Sequence, residues 1–284
     1  MIPELAPPGG AVVLLDGPMG TELVRRGVSL PALAWSAVAL DVAPDVVADI
    51  HGEYAKAGAT VHTANTFRTK RRAVGQRWDE LARRAVRIAR ACARSGHRVA
   101  GSIAPLEDCY MPHRSPGRSS RAEHRELVRV LADEQVDLLL CETFAASQEA
   151  AIAVEEASLT GVETWVALTA GPDASLLTPH AMREAARSCV SAGARAVLVN
   201  CTPASQTLRF VEAVAGLGVP YGAYANAGDR AEGMGWAAEP GTATAIYAEF
   251  ARAWVHNGAT LVGGCCGTGP AHVSRLARIF NERS

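Results

Sequence analysis

Three cysteines of this sequence stand where their thiols could act together. Cys201 follows the apolar run of residues 194–199, and the adjacent pair Cys265 and Cys266 follows the apolar run of residues 259–262. Apolar runs of this length are typical of buried parallel strands, whose carboxyl ends meet at one edge of a sheet. Three convergent thiols with an open fourth ligand position are typical of a catalytic zinc site.

The adjacent cysteines can share one metal ion only if the backbone bends there, because neighbouring side chains of a regular strand point to opposite faces. Gly263, Gly264 and Gly267 surround the pair. We expect these glycines to provide the backbone freedom for the bend, since glycine adopts positive φ angles without steric cost.

The type of ligand also restricts the reaction. Three thiolates give a divalent ion a net negative charge, which weakens it as a Lewis acid for hydrolysis. Such a centre can instead bind a further thiol, remove its proton and keep its sulfur nucleophilic at neutral pH. A free thiol, with a pKa of about 8.5, is mostly protonated there. The pattern therefore predicts alkyl transfer to a thiol.

Other interpretations of these residues remain open. Residues 263–269 form a glycine-rich loop, and the loop after the last strand of many barrels binds phosphate without a metal. A strained disulfide between Cys265 and Cys266 is a further alternative, although disulfides are rare in reducing compartments. We expect the remaining cysteines to be inert residues of the core or of a loop, namely Cys92, Cys109, Cys141 and Cys189.

Eight short apolar runs alternate with longer amphipathic stretches along the chain. The expected strands are residues 11–15, 59–63, 98–102, 136–141, 164–168, 194–199, 219–223 and 259–262. Eight such units in 284 residues match the size of a (β/α)8 barrel, or TIM barrel, of the α/β class. A doubly wound open sheet is the competitor, but residues 16–20 lack the G-x-G-x-x-G spacing of its dinucleotide loop. We find no linker and expect a single domain over residues 1–284.

The other candidate site residues follow the predicted strands at the same end. In a barrel, catalytic residues come from the carboxyl ends of the strands and from the loops after them. The residues at these positions are Asp16 and Gly17 after the first strand, Glu142 and Thr143 after the fourth, Asn200 after the sixth and Asn226 after the seventh. The opposite strand ends are mostly Ala, Val and Gly, so we expect the active site at the polar rim.

Composition narrows the class of protein and of partner. Hydrophobic residues make up 49% of the chain and charged residues 20%, as in globular proteins. The net charge of −1 gives no general attraction to nucleic acid or to a membrane. No apolar run reaches the roughly 20 residues of a membrane span, and the N-terminus shows no signal-peptide pattern. We therefore expect a cytoplasmic protein, and the sequence makes no prediction of its oligomeric state.

One local charge cluster departs from this balance. Residues 68–98 carry eleven lysines or arginines and two acidic residues. We expect the solvated outer face of a helix. A surface for an anionic ligand or partner is the alternative.

Four motifs together resemble the homocysteine S-methyltransferase family. They are Gly-Gly-Cys-Cys-Gly at residues 263–267, Asn-Cys at residues 200–201, Asp-Gly-x-x-Gly-Thr at residues 16–21 and Ala-Asn-Thr-Phe at residues 64–67. The resemblance implies a zinc-dependent (β/α)8 barrel in which Cys201, Cys265 and Cys266 bind Zn²⁺.

The same resemblance implies roles for the polar strand ends. Asp16 and Glu142 match carboxylates that hold the ammonium group of homocysteine, although capping of a loop and of a helix is the alternative for both. Gly17 and Thr143 accompany them in the substrate site. Asn200 would orient the adjacent cysteine, and Asn226 would line the cavity unless it only forms a turn.

The resemblance also implies small-molecule substrates. The 284 residues have no length for folate or cobalamin modules and no Rossmann-type loop for S-adenosylmethionine. We therefore expect a small sulfonium or ammonium methyl donor, S-methylmethionine first and S-adenosylmethionine next, and homocysteine or another small thiol or selenol as acceptor. Trp35, Phe67 and Tyr110 could hold a methylated cation or could simply be packed. Residues 105–120 could close over substrate or form an ordinary loop. A non-catalytic zinc- or thiol-binding protein is the alternative to an enzyme.

Overall fold

A closed parallel sheet forms the centre of the molecule. The computed structural model describes residues 12–235 and 239–281. Within them the strands are β1 (Val13–Leu14), β2 (Val61–Ala64), β3 (Arg98–Ile103), β4 (Leu138–Phe144), β5 (Thr164–Leu168), β6 (Ala196–Pro203), β7 (Tyr221–Asn226) and β8 (Leu261–Gly264). They pair in parallel in the order β1-β8-β7-β6-β5-β4-β3-β2. A bridge between Leu15 and Val61 joins the two ends of this order, which confirms the predicted (β/α)8 barrel.

Helices follow the strands and cover the outside of the barrel. In the described part of the chain the α-helices are α1 (Met19–Arg25), α2 (Ala39–Val42), α3 (Pro44–Ala57), α4 (Arg71–Val74), α5 (Trp78–Cys92), α6 (Arg121–Asp133), α7 (Ser147–Ser158), α8 (Pro179–Ser191), α9 (Ala204–Val214), α10 (Pro240–His256) and α11 (Pro270–Phe280). Short 3₁₀ helices lie at Trp35–Val38, Gly75–Arg77, Pro112–Arg114, Gly117–Ser120 and Arg230–Glu232. None of the described helices has the length and apolar character that crossing a membrane requires.

The predicted strands are all present, but most start and end later than the apolar runs. β5 has the predicted bounds, whereas β4, β6 and β7 continue beyond their last apolar residues. These polar ends stay in the sheet because their backbones still pair, as Pro203 does with Asn226. Residue 11, which was predicted to lie in the first strand, is outside the described residues. The candidate site residues of these strands therefore belong to the sheet itself.

The basic stretch of residues 68–98 includes α5, whose outer face carries ion pairs. Arg84 pairs with Asp41 at 3.4 Å, and Arg87 pairs with Glu134 at 2.8 Å. The opposite face of α5 is apolar and buried. The helix thus has the solvated charged face that the sequence predicted, and neighbouring acidic side chains neutralise part of its charge.

One buried tyrosine holds the carboxyl ends of β7 and β8 from the outside. Tyr247 of α10 is fully buried, and its hydroxyl accepts a hydrogen bond from the backbone N–H of Ala225 at 3.1 Å. The same hydroxyl donates to the carbonyl of Gly263 at 2.8 Å. Since buried backbone groups need partners, this side chain fixes the strand ends beside the candidate site.

Tyr247→Phe should lower the free energy of unfolding by about 1–3 kcal/mol, because buried backbone groups would lose their partner. Urea denaturation followed by circular dichroism measures this loss. Tyr221→Phe is the matched control, since its hydroxyl bonds to the Asn257 carbonyl at 2.6 Å at the surface. We expect the control to change stability by less than about 0.5 kcal/mol, and equal losses in both variants would contradict the role of Tyr247.

Candidate active site

A cavity of about 360 Å³ opens at the carboxyl ends of the strands. Beneath it the barrel is filled by apolar side chains, among them Leu140, Trp165 and Leu198. Its lining includes most of the site residues that the sequence predicted, namely Asp16, Gly17, Glu142, Thr143, Cys201, Cys265 and Cys266. The fold therefore brings residues from β4, from β6 and from the loops after β1 and β8 to one opening.

The three cysteine sulfurs form a compact cluster. Their Sγ atoms all lie within 4.8 Å of one another. Cys201 and Cys265 are joined as a disulfide, and Cys266 is a free thiol, so the pairing differs from the disulfide between neighbours that the sequence left open. Three sulfur donors at this separation fit one soft divalent ion once the disulfide is reduced.

An irregular strand end presents Cys201 to the cavity. The register between β6 and β7 shifts after Asn200, and Cys201 has a φ of +46°. The Cys201 carbonyl accepts hydrogen bonds from the amide of Asn226 at 3.2 Å and from the hydroxyl of Thr169 at 3.3 Å. A non-glycine residue adopts positive φ only where its surroundings hold it there. These two hydrogen bonds therefore help to fix the direction of the Cys201 side chain.

The glycines around the cysteine pair act differently from the prediction. Gly267 has a φ of +83°, as expected, but Gly263 and Gly264 are not among the residues with positive φ. A Cβ at Gly263 would lie 2.8 Å from the Cβ of Leu15, and a Cβ at Gly264 would lie 2.3 Å from Oγ1 of Thr268. These two positions need glycine because neighbouring groups pack directly against the backbone.

Hydrogen bonds join the loop after β8 to α1. They use hydrogen-bond donors that a phosphate would need. Arg25 donates to the carbonyls of Gly267 at 2.9 Å and Thr268 at 2.8 Å. The backbone N–H of Gly267 donates to Oγ1 of Thr21 at 3.1 Å, and that of Thr268 donates to the Cys265 carbonyl at 3.1 Å. A phosphate site needs free N–H donors, so this arrangement does not favour the phosphate interpretation of residues 263–269.

Two buried carboxyl groups face the cavity. Asp16 is 5% exposed and accepts hydrogen bonds from the backbone N–H and the hydroxyl of Thr63 at 2.8 and 2.9 Å. Glu142 is 8% exposed and accepts from the hydroxyls of Ser102 and of Tyr224, the latter at 2.9 Å. Burial raises the pKa of Asp16 to about 8 and the pKa of Glu142 above its usual range. A cationic ligand would therefore stabilise both ionised forms.

His62 of β2 does not line the cavity and is fully buried. Its Nε2 lies 2.8 Å from Nδ1 of His97. His62, His51 and Asp16 each place a polar atom within 4.8 Å of the others. Burial lowers the pKa of His51 to about 3 and that of His62 to about 4. Both imidazoles are therefore neutral at neutral pH and give the Asp16 carboxyl no positive charge.

Asn200 and Asn226, which the sequence predicted to be substrate-binding, do not line the cavity. The Asn200 amide donates to the Thr143 hydroxyl at 2.8 Å and accepts from the Thr143 backbone N–H at 3.2 Å. Thr143 has a φ of +63°, so Asn200 stabilises this conformation instead of bonding to the adjacent Cys201. Asn200 therefore holds Thr143, and Asn226 holds the backbone of Cys201. Their amides are already used in these hydrogen bonds.

Ser102, Tyr224 and Arg68 also line the cavity, although none of them belongs to a motif that indicates a site. Ser102 stands near the end of β3, where the rule for strand ends could have identified it. Tyr224 resembles an ordinary core aromatic, and its contact with Glu142 depends on the neighbouring strands. Arg68 is one of eleven basic residues in the stretch of residues 68–98, and nothing in the sequence distinguishes it from the others.

An aromatic surface forms another part of the lining. Trp35 and Phe67 meet edge to face with ring centroids 5.7 Å apart, and Tyr110 also lines the cavity. Aromatic faces can attract a sulfonium or ammonium group. The segment of residues 105–120 carries Tyr110 and is anchored to α7, because Glu149 accepts from the backbone N–H of Leu106 at 2.8 Å and from the hydroxyl of Ser115 at 2.5 Å.

Comparisons with known proteins agree with this geometry. The family model for homocysteine S-methyltransferase matches residues 13–280. The homocysteine S-methyltransferase of Escherichia coli (strain K12) is 30% identical over 296 residues, which cover 93% of this chain and 94% of that protein. The selenocysteine methyltransferase of Astragalus bisulcatus is 27% identical over 333 residues, which cover 99% and 96%. The crystal structure of the homocysteine methyltransferase MmuM from Escherichia coli, in its metallated form, matches with a TM-score of 0.79 at 25% identity and covers 94% of this chain and 96% of that chain.

The reduced protein should bind one zinc ion per chain, and the form with the Cys201–Cys265 disulfide should bind much less, because a disulfide provides no thiolate ligands. Atomic emission spectrometry after gel filtration measures the bound zinc. Cys201→Ser should lose most of it. Cys109→Ser is the matched control, since Cys109 lines the cavity outside the sulfur cluster. Full zinc binding by a Cys265→Ser, Cys266→Ser double variant would contradict the assignment.

Proposed function

The chain belongs to the homocysteine S-methyltransferase family, and from this premise we propose that it transfers a methyl group from a small sulfonium or ammonium donor to the sulfur of homocysteine, forming methionine. The observation that carries the proposal is the placement of three cysteine sulfurs and two buried carboxyl groups in one cavity. The sulfurs suit a thiol substrate bound through a metal. The carboxyls suit the ammonium group of an amino acid.

Cys201, Cys265 and Cys266 in their reduced form would hold a zinc ion. A zinc ion held by these residues would supply the positive charge that lowers the pKa of an acceptor thiol from about 8.5, so that its sulfur would be a thiolate at neutral pH. The chain itself fixes the three sulfurs on two strand ends. Buried apolar side chains pack against Cys201 and Cys265 at the inner end of the cavity.

Asp16 and Glu142 would hold the ammonium group of homocysteine. Binding favours the ionised carboxylates, because the ammonium charge replaces the solvation that burial removed. The Asp16 carboxyl, with a pKa of about 8 in the free protein, then gives up its proton to solvent. Hydrogen bonds from Thr63, Ser102 and Tyr224 keep the carboxylate oxygens in place, and this positions the acceptor in the cavity.

The methyl group would pass directly between the two substrates. The acceptor sulfur attacks the methyl carbon, the bond from that carbon to the donor's sulfur or nitrogen breaks, and its electron pair leaves with the donor as a neutral thioether or tertiary amine. S-Methylmethionine is the first donor candidate, and with it both products are methionine. S-Adenosylmethionine is the second donor candidate. Selenocysteine is a second acceptor candidate, because the relative from Astragalus bisulcatus is named for its methylation.

Mass spectrometry of the product tests the proposal. Reduced, zinc-loaded protein is incubated with homocysteine and, in turn, with S-methylmethionine, S-adenosylmethionine or glycine betaine carrying deuterated methyl groups. We expect labelled methionine, formed fastest from S-methylmethionine. Absence of labelled methionine with all three donors, in protein shown to contain zinc, would contradict the proposed function and favour a zinc-binding protein without catalysis.

Glu142→Gln should lower kcat/KM for homocysteine by roughly 10- to 100-fold, since a hydrogen-bonded charge pair is lost. Propanethiol, which lacks the ammonium group, should be affected less than about threefold by the same variant. Equal losses with both thiols would show that Glu142 does not bind the ammonium group.

The affinity of the unmodified protein for homocysteine should increase as the pH rises through about 8, because burial raises the pKa of Asp16 to about that value.

A further inference from the structure

Arg68 is the single cationic side chain among the described residues that line the cavity. The lining also contains three carboxyl groups, those of Asp16, Asp108 and Glu142. Two of them are buried and suit a ligand ammonium group, whereas Arg68 is half-buried and Asp108 is exposed. The two carboxyl groups that suit an ammonium group therefore lie at the buried inner end of the cavity, and the Arg68 guanidinium lies toward its open side.

The Arg68 guanidinium has few partners within the protein. Its Nε is buried and makes no hydrogen bond to any described residue. Its one hydrogen bond in the described structure is a long one of 3.5 Å, from an Nη atom to the Glu107 carbonyl. The neighbouring Arg72 differs, since it forms ion pairs with both Glu107 and Glu123. Arg68 thus remains available for an anion from outside the chain.

The ring of Phe67 limits where that anion can bind. The guanidinium carbon of Arg68 lies 5.3 Å from the centroid of this ring. The same ring meets Trp35 and so belongs to the aromatic surface of the cavity. Stacking on an aromatic face leaves the edge of a guanidinium free, and that edge matches a carboxylate through two parallel hydrogen bonds.

We propose that Arg68 binds the carboxylate of an amino-acid methyl donor, so that its sulfonium group lies against the aromatic surface and its methyl group points to the acceptor sulfur. The inference rests on the proposed function. The acceptor is held at the buried inner end by Asp16 and Glu142, so the donor must occupy the side on which Arg68 lies. A zwitterionic sulfonium amino acid fits this arrangement of charges, whereas a donor without a carboxylate leaves Arg68 unpaired.

A matched pair of donors tests this site. S-Methylmethionine carries the carboxylate, and S-methylmethionine amide replaces it with a neutral carboxamide. Arg68→Gln should raise the KM for S-methylmethionine by roughly 10- to 100-fold, as expected for loss of a charge-assisted pair, and should change the KM for the amide by less than about twofold. Arg68→Lys, which retains the charge but not the two parallel bonds, should give an intermediate KM for S-methylmethionine.

Arg71→Gln is the control, because Arg71 is exposed and pairs with Glu126 at 3.7 Å outside the cavity. We expect its KM values to match those of the unmodified protein. Equal increases for both donors, or no increase, would overturn the proposal. An increase confined to homocysteine would also overturn it and assign the carboxylate to the acceptor.

Calorimetric binding of the two donors in the absence of homocysteine separates this question from catalysis. The unmodified protein should bind S-methylmethionine more tightly than the amide, and Arg68→Gln should remove the difference. Thermal melting of each variant checks that it is folded. If the difference in binding is found but no methionine forms, the Arg68 site stands and the proposed function fails. If methionine forms but the two donors bind equally, the reverse holds.

Discussion

Closure of the parallel sheet between β1 and β2 is the contact on which the whole site depends. The backbone N–H of Thr60 donates to the Leu14 carbonyl at 2.8 Å, and that of Asp16 donates to the Val61 carbonyl at 3.0 Å. Because the sheet is parallel and closed, the carboxyl ends of all its strands surround one opening. The same closure brings the Asp16 carboxylate to the backbone N–H and hydroxyl of Thr63. The buried Asp16 carboxyl thus takes part in the contact between β1 and β2 that closes the barrel.

The charges of the cavity contrast with those of the outer surface. Glu156 on α7 is almost completely buried, yet Arg121 and Arg125 pair with it at 2.6 and 2.7 Å. Asp16 is equally inaccessible but has hydroxyl, amide and neutral imidazole groups around it. Since its pKa is higher in the folded chain than in the unfolded chain, its contribution to stability decreases as the pH rises toward about 8. A ligand cation would reverse this loss, which couples occupancy of the cavity to stability.

The sequence allowed good prediction of the barrel and of the groups at its mouth, because both follow from local patterns. Apolar runs indicate buried strands, and the rule for strand ends identified Asp16, Glu142 and Cys201. Features that depend on contacts between distant strands were harder to predict. The partner of Asn200 is Thr143 of β4, and no pattern near either residue indicates that hydrogen bond. Similarly, the need for glycine at Gly264 arises from the Thr268 side chain and not from its own φ angle.

The anchoring of residues 105–120 shows the same limit. Their many Pro, Ser and Arg residues suggested an irregular loop, whereas a buried carboxylate on a later helix, Glu149, holds the segment through Leu106 and Ser115. Local composition indicates the conformation that a segment favours by itself. It contains no information about a hydrogen-bond partner elsewhere in the chain, such as Glu149.

The left-handed backbone conformations of Thr143 and Cys201 have a consequence for how such a protein can evolve. Both residues line the cavity with φ angles of +63° and +46°, a conformation that disfavours a side chain by about 1–2 kcal/mol relative to glycine. If selection for the reaction ceased, random substitution to glycine at either position would relieve this strain. The strain is therefore a cost in stability that the chain carries where two side chains face the cavity, as expected of a site at which stability and activity oppose each other.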